Sequence, residues 1–412
     1  MLSPYRVIDL TNERGLLAGQ ILADLGADVI QVEPPSGSTA RAVAPFFEDE
    51  PDEVERSIYW ACYARNKRGV TCDVATASGR QLLFRLLGRA DFLFESGKPG
   101  ETAAFGLGYD DVRRINPGLV YTSLSPFGQD GTKADYEDTE LVLWAAGAAL
   151  LPTGDADRAP IRISVPQAYH HASGDAADGA LIAHFDRVKS GLGQHVDISV
   201  QQSVAQATLS QVLAHQVGAP EPVRNAEGVR IGSTQVRTKW RAADGWVELT
   251  MGMGTATGHF TNNLVRWMVA EGAIEPELVS MDWREVPELL DTGKLPDEEF
   301  QRIQAAIETF VLAKTKAELL DAAVEHKLLL VPHSTVSSLS NSSQLEARDY
   351  WREAEYRGRQ VRFPGPFVNI PSRPIQFRRS APRLGQHNRE VYVDELGLSE
   401  AEFADLITQG VV

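Results

Sequence analysis

Glu137, Tyr169, His170 and His171 stand in stretches of this sequence where side chains can take up and release protons. An imidazole titrates near neutral pH and a partly buried glutamate can be raised toward it, so Glu137 with His170 or His171 would form a proton-transfer pair. The histidines open a helical stretch and read equally as helix-start residues making ordinary hydrogen bonds. A second group is cationic: Arg65-Asn66-Lys67-Arg68, with Arg41 following Pro34-Pro-Ser-Gly-Ser-Thr-Ala40. Guanidinium forks meet phosphate oxygens in pairs, so Arg41, Arg65 and Lys67 suit a phosphate-bearing ligand. The plainer alternative is a solvated turn, or for Arg68 a structural salt bridge.

The rest of the chain must position these groups. Its 412 residues, 43% hydrophobic and 23% charged, are enough for two or more packed domains. No apolar run of about 18 residues occurs, and Met1-Leu-Ser-Pro-Tyr-Arg6 lacks the pattern of a signal peptide. A cytoplasmic protein without a membrane partner is expected. Cys62 and Cys72 supply neither a disulfide framework nor zinc-ligand spacing, so no metal is expected. A net charge of −16 without a basic stripe argues against nucleic acid. An anionic ligand would need a local cationic patch against that field.

Val7 to Leu10 and Ala27 to Glu33 are β-rich and flank a helical stretch from Gly15 to Leu25. The alternation continues with strands at 69–74, 91–95 and 119–124 and helices at 78–89 and 109–115, then helices at 140–151 and 171–185 and a strand at 194–199. A right-handed βαβ start repeated in this way predicts a doubly wound, Rossmann-like α/β domain. Gly15 and Gly19 do not make Gly-x-Gly-x-x-Gly, which excludes a nicotinamide dehydrogenase. The shift at Gly218-Ala-Pro-Glu-Pro-Val223 reads as a linker. The expected organisation is a large domain over 1–217, a smaller α/β domain over 224–325, and a segment over 326–412 returning to the large domain.

Five segments in order carry a resemblance: Ala23-Asp-Leu-Gly-Ala-Asp-Val-Ile-Gln-Val-Glu-Pro34, Arg65-Asn-Lys-Arg-Gly-Val-Thr-Cys-Asp73, Phe105-Gly-Leu-Gly-Tyr109, Ile115-Asn-Pro-Gly-Leu-Val-Tyr-Thr-Ser-Leu-Ser-Pro-Phe-Gly128 and Ala381-Pro-Arg-Leu-Gly-Gln-His387. Together they resemble the family III CoA-transferases. That resemblance implies a dimer of two interlocked rings, a CoA thioester as substrate with no permanently bound cofactor, and CoA contacts from Arg41, Arg65, Lys67 and Arg68. Ser96 stands where the family's Glu-Asn-x-x-Pro-Gly has asparagine, and Lys98 would replace part of that contact. A lid is implied at Met251-Gly-Met-Gly-Thr-Ala-Thr-Gly258.

The family usually reads Val-Pro-x-x-Asp around its nucleophile. Here Val165-Pro166-Gln167-Ala168 leads to Tyr169, or to His170 if the alignment slips by one. Only a carboxylate can form a mixed anhydride with the donor acyl group and then hold CoA as an enzyme thioester. Asp175 is the nearest carboxylate, about 120° off the same helical face. Glu137 takes the family's Tyr or His place, while Asp138 is kept. The resemblance leaves two main expectations. One is a CoA-transferase subunit paired with an Asp-bearing homologue, as the family's benzylsuccinate CoA-transferases are built, moving CoA from succinyl-CoA to an aryl-substituted or other organic acid. The other is an acyl-CoA epimerase, hydratase or lyase using Glu137 and a histidine. A transferase using Asp175 and a CoA-binding scaffold are the remaining alternatives.

Overall fold

Strand β1 (Arg6–Asp9) is apolar on both faces: Val7 packs with Leu22 and Ala176, and Ile8 with Leu83 and Tyr392. Alternate side chains of a strand point to opposite sides of its sheet, so both sides must be covered. In the computed structural model, which describes residues 1–231 and 234–412, they are. Strands β1, β2 (Asp28–Glu33), β3 (Arg68–Thr71), β4 (Phe92–Glu95), β5 (Val120–Ser125) and β6 (His195–Ser199) form one sheet in the order β3-β2-β1-β4-β5-β6. Every neighbouring pair is parallel. This is the doubly wound, Rossmann-like arrangement expected from the alternation.

The helices of this part are α1 (Leu16–Asp24), α2 (Ile58–Tyr63), α3 (Ala77–Leu87), α4 (Glu101–Ala104), α5 (Tyr109–Ile115), α6 (Glu140–Ala146), α7 (Ala168–Ser190), α8 (Val200–Gln206) and α9 (Leu209–Gln216). Helices α1, α7 and α8 cover one face of the sheet, and α3 and α5 the other. Ala168, Ala172, Ala176 and Ala180 recur every four residues on α7 and are all buried, a small-residue stripe that lets the helix lie close to the strands. Gly179 belongs to the same contact, since a Cβ there would fall 2.8 Å from Val196 Cγ1.

By its internal contacts the chain divides into one unit of 1–150, 162–221 and 346–412 and a second of 151–161 and 222–345. The expected boundaries need two adjustments. Residues 151–161 lie in the second unit, and the return begins at Glu346 instead of 326. The reason for the later return is a strand beyond the expected domain end. The second unit holds a hairpin of β7 (Gly228–Ile231) and β8 (Thr234–Arg237), and an antiparallel sheet of β9 (Lys239–Ala242), β10 (Gly245–Leu249) and β11 (Leu330–Pro332). Helices α10 (Gly254–Ala270), α11 (Val286–Asp291), α12 (Asp297–Leu312) and α13 (Lys316–His326) enclose a core around Trp240, Trp283 and Phe300.

The lid expected at 251–258 is instead a packed helix start. Gly254 opens α10, Met251 is buried, and Thr261 Oγ1 donates to the Gly252 carbonyl at 2.7 Å. Gly258 allows contact with the 283–284 backbone, because a Cβ would meet Arg284 N at 2.5 Å. Back in the first unit, β12 (Arg352–Tyr356) and β13 (Arg359–Phe363) form a hairpin whose Tyr356 and Phe363 pack with Trp60. Among the described residues no helix is long and apolar enough to cross a membrane, and no group of His, Cys, Asp and Glu is placed to hold a metal ion.

Candidate functional site

Strand order reverses between β1 and β4, so the connections leaving these strands part at their carboxyl ends, where open α/β sheets form a crevice. A cavity of about 300 Å³ opens there, with Asn12, Glu33, Asp73, Glu95, Ser96 and Glu101 in its wall. Ser96 and Asn12 satisfy each other across it: the Ser96 hydroxyl donates to Asn12 Oδ1 at 3.1 Å and accepts the Asn12 N–H at 3.2 Å. Glu95 accepts the Gly97 N–H at 2.8 Å and the Ser123 hydroxyl, and that hydroxyl lies 2.9 Å from His195 Nε2. Burial pushes the Glu95 carboxyl up to about 7, against the lowering effect of these two donors.

The expected phosphate-binding cations are placed differently. Arg41, 3% exposed, forks onto Glu33 at 2.6 and 2.9 Å, reaches Glu55 at 2.8 Å and stacks 3.9 Å above the Trp60 ring. Lys67 is wholly buried and spends its three donors on Asp9, the Leu16 carbonyl and Gln31, at 2.7, 2.8 and 2.9 Å. Arg65 pairs with Asp24 at 3.3 Å and donates to the Pro364 carbonyl. Arg68 is held by Asp28, Glu390 and Glu395. In this structure Arg41, Arg65, Lys67 and Arg68 each have an adjacent anion inside the protein, as a buried cation needs. Arg68 ties residues 390–395 to the sheet, and Asn66, with a φ of 64°, donates its amide to Asp24 and accepts the N–H groups of Arg378 and Arg379.

Tyr169 stands on the first turn of α7 and its hydroxyl donates to the Asp138 carboxylate. Arg14, from the connection after β1, pairs with the other Asp138 oxygen at 2.8 Å and lies 5.9 Å over the Tyr169 ring. Asp138 is 4% exposed at its side chain; burial raises its carboxyl and Arg14 opposes this. Both of its oxygens are engaged, so it is not presented as a free nucleophile.

Glu137 turns the other way. It is exposed and paired with Lys98, which holds its carboxyl below the usual range. His170 lies against Tyr63 and Tyr59, at centroid distances of 4.9 and 6.2 Å, and burial holds its imidazole below its ordinary value. The acid/base pair of Glu137 with His170 expected from sequence is thus replaced by separate partnerships. Asp175 lies on an unbroken helix and accepts from Gln206 at 3.1 Å, so no bulge carries it to the place of Tyr169.

Two residues that hold this region in place were missed in the sequence. Glu140 caps α7 from 27 residues away, accepting the N–H groups of Gln167 and Ala168 at 2.5 and 2.8 Å. A negative charge there is favoured by the helix dipole, but nothing local in the sequence announces so distant a cap. Arg14 had a usable signal, since the residues following the first strand of a doubly wound sheet line its crevice.

Comparison with known proteins places this geometry in context. CoA-transferase family III matches residues 2–388. A succinyl-CoA:(R)-benzylsuccinate CoA-transferase subunit, BbsE, of Thauera aromatica is 33% identical over 100% of this chain and 98% of that protein. A formyl-CoA:oxalate CoA-transferase of Streptomyces avermitilis is 29% identical over 100% and 99%. Among solved structures, a CAIB/BAIF family protein from Brucella suis superposes with a TM-score of 0.81 at 24% identity, covering 95% of this chain and 98% of that one, a likeness of fold.

Proposed function

The chain belongs to CoA-transferase family III, and from that premise we propose that it is the subunit of a heteromeric CoA-transferase that lacks the nucleophilic carboxylate. Its partner is an Asp-bearing homologue, and the pair moves CoA from succinyl-CoA to an organic acid, an aryl-substituted acid being the favoured acceptor. The observation that carries this is Tyr169. Where the resemblance places the attacking aspartate, a phenol is committed to Asp138, and Asp138 is committed to Arg14.

The chemistry explains why that matters. A carboxylate attacks the thioester carbonyl and expels CoA thiolate, leaving a mixed anhydride. The thiolate then attacks the enzyme's own acyl carbon, releasing the donor acid and leaving CoA as an enzyme thioester. The acceptor carboxylate attacks this thioester, and the returning thiolate takes the acceptor acyl group while the enzyme carboxylate is freed. A phenol has no acyl carbon on which to hold CoA. Tyr169 therefore cannot serve in either half of the exchange.

Support for a second chain comes from the surface. On α7 Ile182 and Phe185 are 72% and 67% exposed, and Leu213 and Val217 at the end of α9 are 66% and 77% exposed. Apolar residues gathered in this way mark contact surfaces. The interlocked-ring assembly and a cytoplasmic setting are part of the proposal. The alternative epimerase, hydratase or lyase has less support, because Glu137 and His170 have different partners.

The test is exchange of labelled succinate into succinyl-CoA. The isolated chain is expected to give none, and the chain co-expressed with an Asp-bearing homologue is expected to give sustained exchange. Robust exchange by the isolated polypeptide would contradict the proposal.

A further inference from the structure

Asp9, Asp24, Glu33 and Glu55 are buried acids, and each meets a cation: Lys67, Arg65 or Arg41. Glu95 is buried as deeply, in the wall of the crevice, yet no lysine or arginine among the described residues pairs with it. A buried carboxylate without a cation keeps its charge at a large desolvation cost, and a proton is the remaining way to remove that charge.

Hydrogen bonds join Glu95 to the surface instead. Pairing of β4 with β5 sets Glu95 opposite Ser123, and pairing of β5 with β6 sets His195 opposite Tyr121, two residues before Ser123 and so on the same face of the sheet. The buried Ser123 hydroxyl meets the Glu95 carboxylate on one side and His195 Nε2, at 2.9 Å, on the other. His195 is exposed, with Tyr109 stacked on its ring at 5.1 Å and Tyr121 edge-on at 5.4 Å. The charged groups that act on this series are acidic: Glu101 and Asp197 on Glu95, Asp110 and Asp197 on His195. Glu33 and Asp73 share the crevice wall. Lys98 is paired with Glu137, and Arg113 of α5 sits 5.9 Å over the Tyr109 ring.

We propose that Glu95, Ser123 and His195 are a proton relay, through which the crevice takes up one proton from solvent when a phosphate-bearing ligand such as CoA occupies it. With Glu95 ionised, His195 Nε2–H donates to Ser123 Oγ, and the Ser123 hydroxyl donates to Glu95. On uptake, His195 Nδ1 gains a proton from water, Nε2 gives its own to Ser123 Oγ, and the Ser123 proton passes to Glu95. The products are a neutral carboxylic acid and the other imidazole tautomer, with one solvent proton consumed. An anionic ligand near Glu95 makes the ionised carboxylate costlier and so draws the proton in. Burial brings Glu95 to about 7 before any ligand arrives, which places the exchange in the neutral range. The relay does not rest on the subunit role, since it asks only that the crevice hold a phosphate-bearing ligand.

Titration calorimetry of CoA into the isolated chain at pH 8, repeated in buffers of different ionisation enthalpy, counts the protons exchanged. The parent is expected to take up about one proton more than Glu95→Gln, and its CoA affinity is expected to fall about tenfold more between pH 6 and pH 8. Equal proton counts in the two proteins, or no saturable binding of CoA, would overturn the inference. A second measurement follows the relay without ligand. The imidazole nitrogen-15 shifts of His195 are expected to move between the two tautomers as pH passes through the Glu95 titration, and to lose that step in Ser123→Ala. A His195 signal that titrates identically in Ser123→Ala would contradict the relay. An inactive heteromer would bear on the subunit role alone.

Discussion

Tyr169, Asp138 and Arg14 form one unit, the phenol and the guanidinium each holding one oxygen of the Asp138 carboxylate. Tyr169→Phe removes the hydroxyl that Asp138 accepts and leaves a buried oxygen short of a donor. A loss of about 1–3 kcal/mol in unfolding free energy is expected by denaturant titration, with no change in the transferase activity of the assembled pair. Glu95 supplies a pH signature. Its folded pKa of about 7 lies above the ordinary 4.5, so the folded chain holds this proton longer than the unfolded chain does. Its contribution is therefore fully present below about pH 4.5 and is lost as pH rises toward 7, at a cost on the order of 3 kcal/mol. Glu95→Gln cannot ionise, so the variant is expected to gain stability relative to the parent across that window; parallel stability curves would refute this. Neither feature was legible beforehand. The change at Tyr169 could be read from the Val165-Pro166 register, but its bond to Asp138 joins residues 31 apart.

Local patterns carry most information at the scale of elements. The six parallel strands and their connecting helices follow from alternating β-rich and helical runs, because a strand buried on both faces must be followed by a crossover that covers one of them. The internal partners of Arg65, Lys67 and Arg68 were not legible, because a cationic run looks the same whether it meets a ligand or the protein's own carboxylates. The distinction depends on Asp9, Asp24, Asp28 and Glu395, drawn from distant parts of the chain. Lys67→Met would leave Asp9 charged and unpaired in the sheet core, and a loss of about 3–5 kcal/mol is expected by thermal or denaturant unfolding. A near-neutral result would show that Asp9 is not an uncompensated charge. Around α7, the helix itself was readable in outline, whereas the Glu140 cap was not.

Over the whole molecule, the proposed subunit role rests on Tyr169 in the place of the attacking carboxylate and on Asp138 held by Tyr169 and Arg14. The fold that would position that chemistry is retained, from the strand reversal at β1 and β4 to the start of α7. Apolar residues are exposed on α7 and at the end of α9. Division of labour between homologous subunits accounts for these features together, where loss of function alone would not explain an ordered site. The most direct test is to locate the covalent intermediate. The heteromer is incubated with succinyl-CoA, the enzyme thioester is reduced with borohydride, and each polypeptide is mapped by mass spectrometry. A modified aspartate on the Asp-bearing partner, with this chain unmodified, is the expected result; modification of this chain at Asp138, Asp175 or any other carboxylate would contradict the account.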